Sequence, residues 1–264
     1  MKFNLMGSIL IFGCLAGAAS ADLYGLSSNF PGTVYTIDSG TGAATPLVTV
    51  TGANGTSFTD IEFLNGVAYA CDVSTSSGWA FGTIDLTTGN FTTLTNQDGS
   101  ANWFGLATKQ STNQLFTVDF DAGNILKSMT PLGVTTTIGA TGVTVRGLTY
   151  DSANDTLYAT DANSLYWLNQ STGAATLIGS FNGPSGDADL AYDPLTDTLY
   201  LNSTGTNSLY SVDKATGNAN LIGANNASGA YIDGLGNLTP VPEPATMAAL
   251  GLGVAALLRR RRRA

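Results

Sequence analysis

Two stretches of this chain are copies of one unit, and that repetition constrains its fold more than any other feature. The segments "VRGLTYDSANDTLYATDANSLYWLNQSTGAATLIGS" (145–180) and "ADLAYDPLTDTLYLNSTGTNSLYSVDKATGNANLIGA" (188–224) each hold four short apolar or alternating runs divided by turn residues. Four strands in roughly 40–50 residues make one propeller blade. The unit can be followed along the whole body. Its first strand centres on Ile61, Leu106, Leu148, Leu190 and Leu235. The second reads "DLYGLS" (22–27), "VAYACD" (67–72), "LFTVDF" (115–120), "TLYATD" (156–161) and "TLYLNS" (198–203). The third reads "TVYTID" (33–38), "FGTID" (81–85), "NILKSM" (124–129), "SLYWLN" (164–169) and "SLYSVD" (208–213). A Thr-Gly turn leads into the fourth, except that one copy carries Leu132-Gly133 instead.

Every strand type therefore occurs five times, with one offset. Four units are contiguous, while the fifth takes its first strand from "YIDGLGN" (231–237) and its other three from Asp22 to about Val50. The expected fold is all-β, a five-bladed β-propeller closed by N- and C-terminal strands in one blade, with a short hydrophobic helix after it. Closure by both ends pairs the last open strand edges. A solenoid or sandwich with the same strand count gives no reason for the split unit. Period-two alternation, as in Leu157/Ala159 against Tyr158/Thr160, and an abundance of β-branched and aromatic residues fit strands. Asp151 and Asp193, each following a tyrosine, are read as caps on turn backbone.

The two ends have a different texture. Lys2, an apolar run from Phe3 to about Ala18 and the small-x-small pattern Ala19-Ser20-Ala21 predict a signal peptide over 1–21, removed by signal peptidase before Asp22. A retained membrane helix would need a longer apolar run. A lipoprotein reading of Cys14 is disfavoured by the bulky Phe12 ahead of it. The body, 22–240, then has four basic residues (Lys109, Lys127, Arg146 and Lys214) against eighteen acids, a net charge near −14. Such a surface repels phosphate backbones and argues against nucleic-acid binding. With Cys14 gone, Cys71 is alone, which removes any intrachain disulfide and suits a small buried hydrophobe. The chain has no histidine, so His-dependent triads, His metal ligands and His bases are all excluded.

The tail, 241–264, reads "VPEPATMAALGLGVAALLRRRRRA". A Pro-Glu-Pro element is followed by an apolar run from Ala245 to Leu258, about 21 Å as a helix and short against a ~30 Å hydrocarbon core. Five arginines, Arg259, Arg260, Arg261, Arg262 and Arg263, then act as a stop-transfer block. A generic single-pass anchor would have no need of the first element. The three parts together resemble the PEP-CTERM sorting signal of Gram-negative bacteria. The resemblance covers 24 residues and implies recognition at Pro242, Glu243 and Pro244 by an exosortase, after a transient inner-membrane stage. It further implies release to the cell surface or extracellular matrix, in a setting of exopolysaccharide and biofilm.

Propellers present ligands at the mouth of the central channel, near the starts of the innermost strands. The repeat register puts Asp60, Asn102, Trp103, Arg146, Asp187, Asp189, Tyr231 and Asp233 there. They form a candidate ligand site, against the alternative of turn-forming and solvated rim residues. No metal is assigned. "DFDAGN" (119–124) resembles the start of a calcium loop but has Thr130 where an EF-hand needs Glu, so calcium remains an option without a ligand set. Glycoside hydrolysis needs two facing carboxylates. Glu62 is the one Glu of the body and Asp60 shares its strand face, so an acid partner would have to be Asp189 or Asp233 from another blade. The reading favoured on these grounds is a non-catalytic surface protein, an adhesion or carbohydrate-associated module. The alternative is a secreted hydrolase, glycosidase or lactonase-like, using the mouth carboxylates.

Overall fold

The computed structural model of the protein describes residues 22–29, 31–53, 57–73, 79–97, 102–227 and 230–238. The expected signal peptide, and the expected hydrophobic helix and stop-transfer arginines of the tail, lie outside these residues. The chain begins with β1 (Asp22–Ser27), β2 (Thr33–Ile37) and β3 (Ala44–Thr49). Blade 1 follows as β4 (Ser57–Leu64), β5 (Val67–Val73), β6 (Trp79–Ile84) and β7 (Phe91–Gln97). Blade 2 is β8 (Trp103–Lys109), β9 (Gln114–Asp119), β10 (Ile125–Met129) and β11 (Thr135–Ala140). Blade 3 is β12 (Gly147–Asp151), β13 (Thr156–Thr160), β14 (Ser164–Leu168) and β15 (Ala175–Ser180). Blade 4 is β16 (Ala188–Asp193), β17 (Thr198–Ser203), β18 (Ser208–Val212) and β19 (Ala219–Ala224). Finally β20 (Ile232–Leu238) returns to β1, so the fifth sheet has the order β20-β1-β2-β3.

This is the expected five-bladed propeller, split blade included. The closing pair runs antiparallel from Asp22 opposite Leu238 to Ser27 opposite Ile232. The five residues at the strand centres, Ile61, Leu106, Leu148, Leu190 and Leu235, are all fully buried on the innermost strands.

Alternation along a strand sorts side chains between neighbouring blades. Leu157 and Ala159 pack into the core between blades 2 and 3, whereas Tyr158, between them in sequence, packs into the core between blades 3 and 4. A blade is covered on both faces by its neighbours, so period two sorts side chains between two cores rather than between core and water. Cys71 is a buried free thiol in the core between blades 1 and 2, and burial pushes its pKa up.

The Thr-Gly turn is the latch between blades. A Cβ on Gly217 would sit 2.7 Å from the carbonyl oxygen of Gly179 in the preceding blade, and one on Gly42 would sit 2.5 Å from that of Gly223. Both glycines have positive φ, 76° and 77°, which L side chains rarely adopt. Gly133 keeps the same conformation (φ 82°) against Thr95 and Phe81, so Leu132-Gly133 preserves the latch. Every pairing of third with fourth strand also carries a bulge, at Val34/Tyr35, Phe81/Gly82, Leu126/Lys127, Leu165/Tyr166 and Leu209/Tyr210. Bulges twist an outer edge away from further pairing, which protects the rim of each blade.

Candidate functional site

The innermost strands meet around the axis in layers set by their register. The residue before each central Ile or Leu is Asp60, Gly105, Gly147, Asp189 or Gly234. At three joints the backbones are too close for a side chain. A Cβ on Gly147 would lie 2.6 Å from the Cα of Asp189, and one on Gly234 would lie 2.7 Å from that of Asp60. At the other two joints an aspartate fills the gap.

The two aspartates do the same job. Asp60 accepts from its own neighbour Ile61 N (2.6 Å) and from Leu106 N on blade 2. Asp189 accepts from Leu190 N (2.8 Å) and from Leu235 N on the closing strand (2.8 Å). Their carboxyls also hydrogen-bond each other on the axis. Burial raises both pKa values, Asp189 to about 7, and the charge of Asp189 adds to the rise at Asp60. The axis is thereby plugged by a pair of buried carboxyls bonded to four backbone N–H groups.

This corrects the expected mouth. Asp60 and Asp189 are sealed inside the plug, with 0% and 1% of their surface exposed. Their position on the inner strand was right; the direction of the carboxyls, toward the next blade's backbone, is set by the spacing of the joints. Trp103 is a core residue, packed edge-on against Phe81 at 6.1 Å. Tyr231 is exposed on the rim and Asn102 contributes its carbonyl to Phe120 N, and neither lines the mouth.

What does line it is a cavity of about 200 Å³ formed by one residue from each blade, Thr59, Phe104, Arg146, Ala188 and Asp233, together with Asp187 and the start of β4. Arg146 lies over the neighbouring rings of Phe104 and Phe120, its guanidinium carbon 5.3 Å from each ring centre. Its Nε lies 3.3 Å from Asp187 Oδ1. Burial raises the pKa of Asp233, opposed by a hydrogen bond from Ser28. Phe104, Thr59 and Ala188 escaped sequence reasoning because they are ordinary strand residues. Aligning the five copies at the central leucine places them in one column.

The opposite end of the axis is a smaller cavity, about 30 Å³, bordered by Glu62, Thr108, Thr149 and Asn237. Glu62 accepts from Phe63 N (2.8 Å), and burial raises its pKa well above the usual carboxylate range. At the suggested calcium loop, Asp119 is occupied by Lys127 Nζ (2.6 Å) and Ala122 N (3.2 Å). No group of three or more acidic, cysteine or histidine residues able to hold a metal occurs among the described residues. Asp151 and Asp193 cap turns as expected, accepting from Ala153 N (2.9 Å) and Leu195 N (2.8 Å).

Fold and axis together define a closed five-bladed β-propeller with a plugged channel and a polar mouth bearing Arg146, Asp187 and Asp233. Residues 240–263 match the family described as the PEP-CTERM protein-sorting motif, so the chain carries that motif at its C-terminal end. The motif implies export by the exosortase route, with membrane-associated sorting to the cell surface. No curated protein matches the chain. Among solved structures it is similar to a chain of the nidogen/laminin complex, 14% identical, with a TM-score of 0.56 over 84% of this chain and 99% of that one. It is similar also to TolB from Acinetobacter baumannii, 12% identical with a TM-score of 0.50, of which it spans about half (52%) while 76% of this chain is covered. At such identities the likeness shows the fold alone.

Proposed function

We propose that this is an exported cell-surface or extracellular-matrix protein whose propeller is a non-catalytic adhesion module, binding carbohydrate such as exopolysaccharide at the channel mouth. In this reading 1–21 is a signal peptide, 22–240 the delivered body and 241–264 the sorting tail. The observation that carries it is the axial plug. Asp60 and Asp189, two of the carboxylates weighed for hydrolysis, bond four backbone N–H groups instead of facing a ligand. The mouth keeps an aromatic face and an ion pair, a combination suited to recognition.

A glycan array with the purified body tests this reading. Binding without turnover is expected, weakened by about tenfold or more in Phe104→Ala and Arg146→Ala. One observation favours a secreted hydrolase, glycosidase or lactonase-like. Asp187 and Asp233 line the same cavity, and burial holds the Asp233 carboxyl up. A glycosidase and lactonase screen decides between the two, and turnover abolished by Asp233→Asn would overturn the adhesion reading.

The sorting step has its own expected outcome. Glu243→Ala, at the proposed exosortase motif, should leave full-length protein in the membrane fraction of the native host. A mature protein that still ends beyond Arg259 would contradict it, and intact-mass spectrometry reads the difference.

A further inference from the structure

Trp167 breaks the repeat. In the register of third against fourth strand, its position is taken by Thr36 (opposite Thr45), Thr83 (opposite Thr92), Ser128 (opposite Thr136) and Ser211 (opposite Asn220). In blade 3 alone it is an indole, opposite Thr176. Four small hydroxyl residues are what a strand near the solvent rim calls for. A tryptophan that stays 38% exposed there adds surface that water must solvate without completing a core.

The indole lines an open groove beside blades 3 and 4, with a volume of about 680 Å³. Leu177, on the neighbouring strand of blade 3, is 57% exposed and lines it too. The charges along the groove are already paired. Lys109 Nζ lies 2.6 Å from Asp155, and Lys214 bridges Asp151 (2.9 Å) and Asp197. Gln170 spends its amide nitrogen on the carbonyl of Asp155 (2.8 Å). Asn169 accepts two turn N–H groups through Oδ1, from Ser171 (2.9 Å) and Thr172 (3.0 Å). What the groove offers is an aromatic face, an aliphatic side chain and a rim of neutralised polar groups.

The lining carries one acid, Asp155, and one base, Lys214, both already paired, so it offers no free charge to hold an ion, and the body's charge near −14 opposes any polyanion. An uncharged ligand with a flat C–H face and a hydroxyl rim fits it: a pyranose ring on the indole, with hydroxyls on the polar edge. The volume lies in the range that takes ligands larger than one sugar ring. We infer that the groove beside blades 3 and 4 binds a neutral polysaccharide chain through Trp167. It shares no lining residue with the channel mouth, so the inference stands apart from the mouth reading.

Affinity electrophoresis tests it, using the body 22–240, whose five blades are complete within 22–238. The gels contain a neutral glucan, mannan or galactomannan, or polygalacturonate as the acidic comparison. Retardation is expected in at least one neutral gel, with apparent affinity falling at least about tenfold in Trp167→Ser. That substitution installs the residue type of the other blades and should leave the melting temperature unchanged. If it melts early, Leu177→Thr replaces it, after Thr137 at the matching position of blade 2. Phe104→Ala, at the mouth, should retain the retardation, which separates failure at one site from failure at the other. No retardation in any neutral gel, equal retardation in both groove variants, or retardation by polygalacturonate alone would each overturn the inference.

Discussion

Asp60→Ala is expected to destabilise the propeller by roughly 3–5 kcal/mol at pH 5, a fall in melting temperature of about 10 °C or more. The substitution strands two buried backbone donors, Ile61 N and Leu106 N, and removes the partner of Asp189. Each buried group left without a partner costs about 1–3 kcal/mol. The same pair makes stability depend on pH, and the sign follows from the direction of the shifts. The native state holds these protons more tightly than the unfolded chain, whose aspartates titrate near 4. The contribution is therefore fully present below about pH 4 and is lost as the pH rises through about 7, where Asp189 ionises. Denaturant unfolding should give a higher free energy at pH 5 than at pH 8.5, and Asp189→Asn should flatten the difference. Equal stability at both pH values in the wild type would show that burial on the axis does not hold these carboxyls protonated.

Gly147→Ala should be nearly as damaging. Its methyl group would lie 2.6 Å from Asp189 Cα and 2.8 Å from the carbonyl oxygen of Ala188. Both obstacles are backbone, so relief requires blades 3 and 4 to separate at the axis. Overpacking of this kind costs about 1–3 kcal/mol where side chains can yield and more where they cannot. Separation would also draw Asp189 away from Leu235 N and from Asp60. Gly66→Ala is the control, since its Cβ would meet nothing within 4 Å, although a positive φ of 81° still adds some strain. Thermal unfolding followed by circular dichroism ranks the two.

The legible part of this fold is the part written in repeats. Strand centres, blade count and the split blade follow from aligning "LYATD" with "LYLNS" and tracing that pattern to "DLYGLS" at the other end of the body. Local pattern reaches that far because each strand carries its own turn and apolar signals. The interior of the ring is harder to read. Asp60 and Asp233 look alike as acids near strand starts, yet one is sealed in the plug and the other borders the mouth. A single residue of register separates those fates, and side chains on a strand reverse direction at each step. The width of each joint is a property of the closed ring, to which no one blade has access. A clue was nonetheless present in the column Asp60, Gly105, Gly147, Asp189, Gly234, where only the smallest residue or an aspartate occurs. Trp167 was visible in the same way, as the odd member of a column of serines and threonines.

The direction of β20 gives the molecule an up and a down. That strand starts beside the mouth at Ile232 and Asp233, and ends at Asn237 and Leu238 beside the Glu62 cavity at the far end of the axis. Asp22 pairs with Leu238, so the body's first strand begins on that same far side. The sorting motif starts at residue 240, just past the end of the strand. The end of the propeller nearest the sorting motif is therefore the Glu62 end, and the face bearing Arg146, Asp187 and Asp233 lies at the opposite end of the axis.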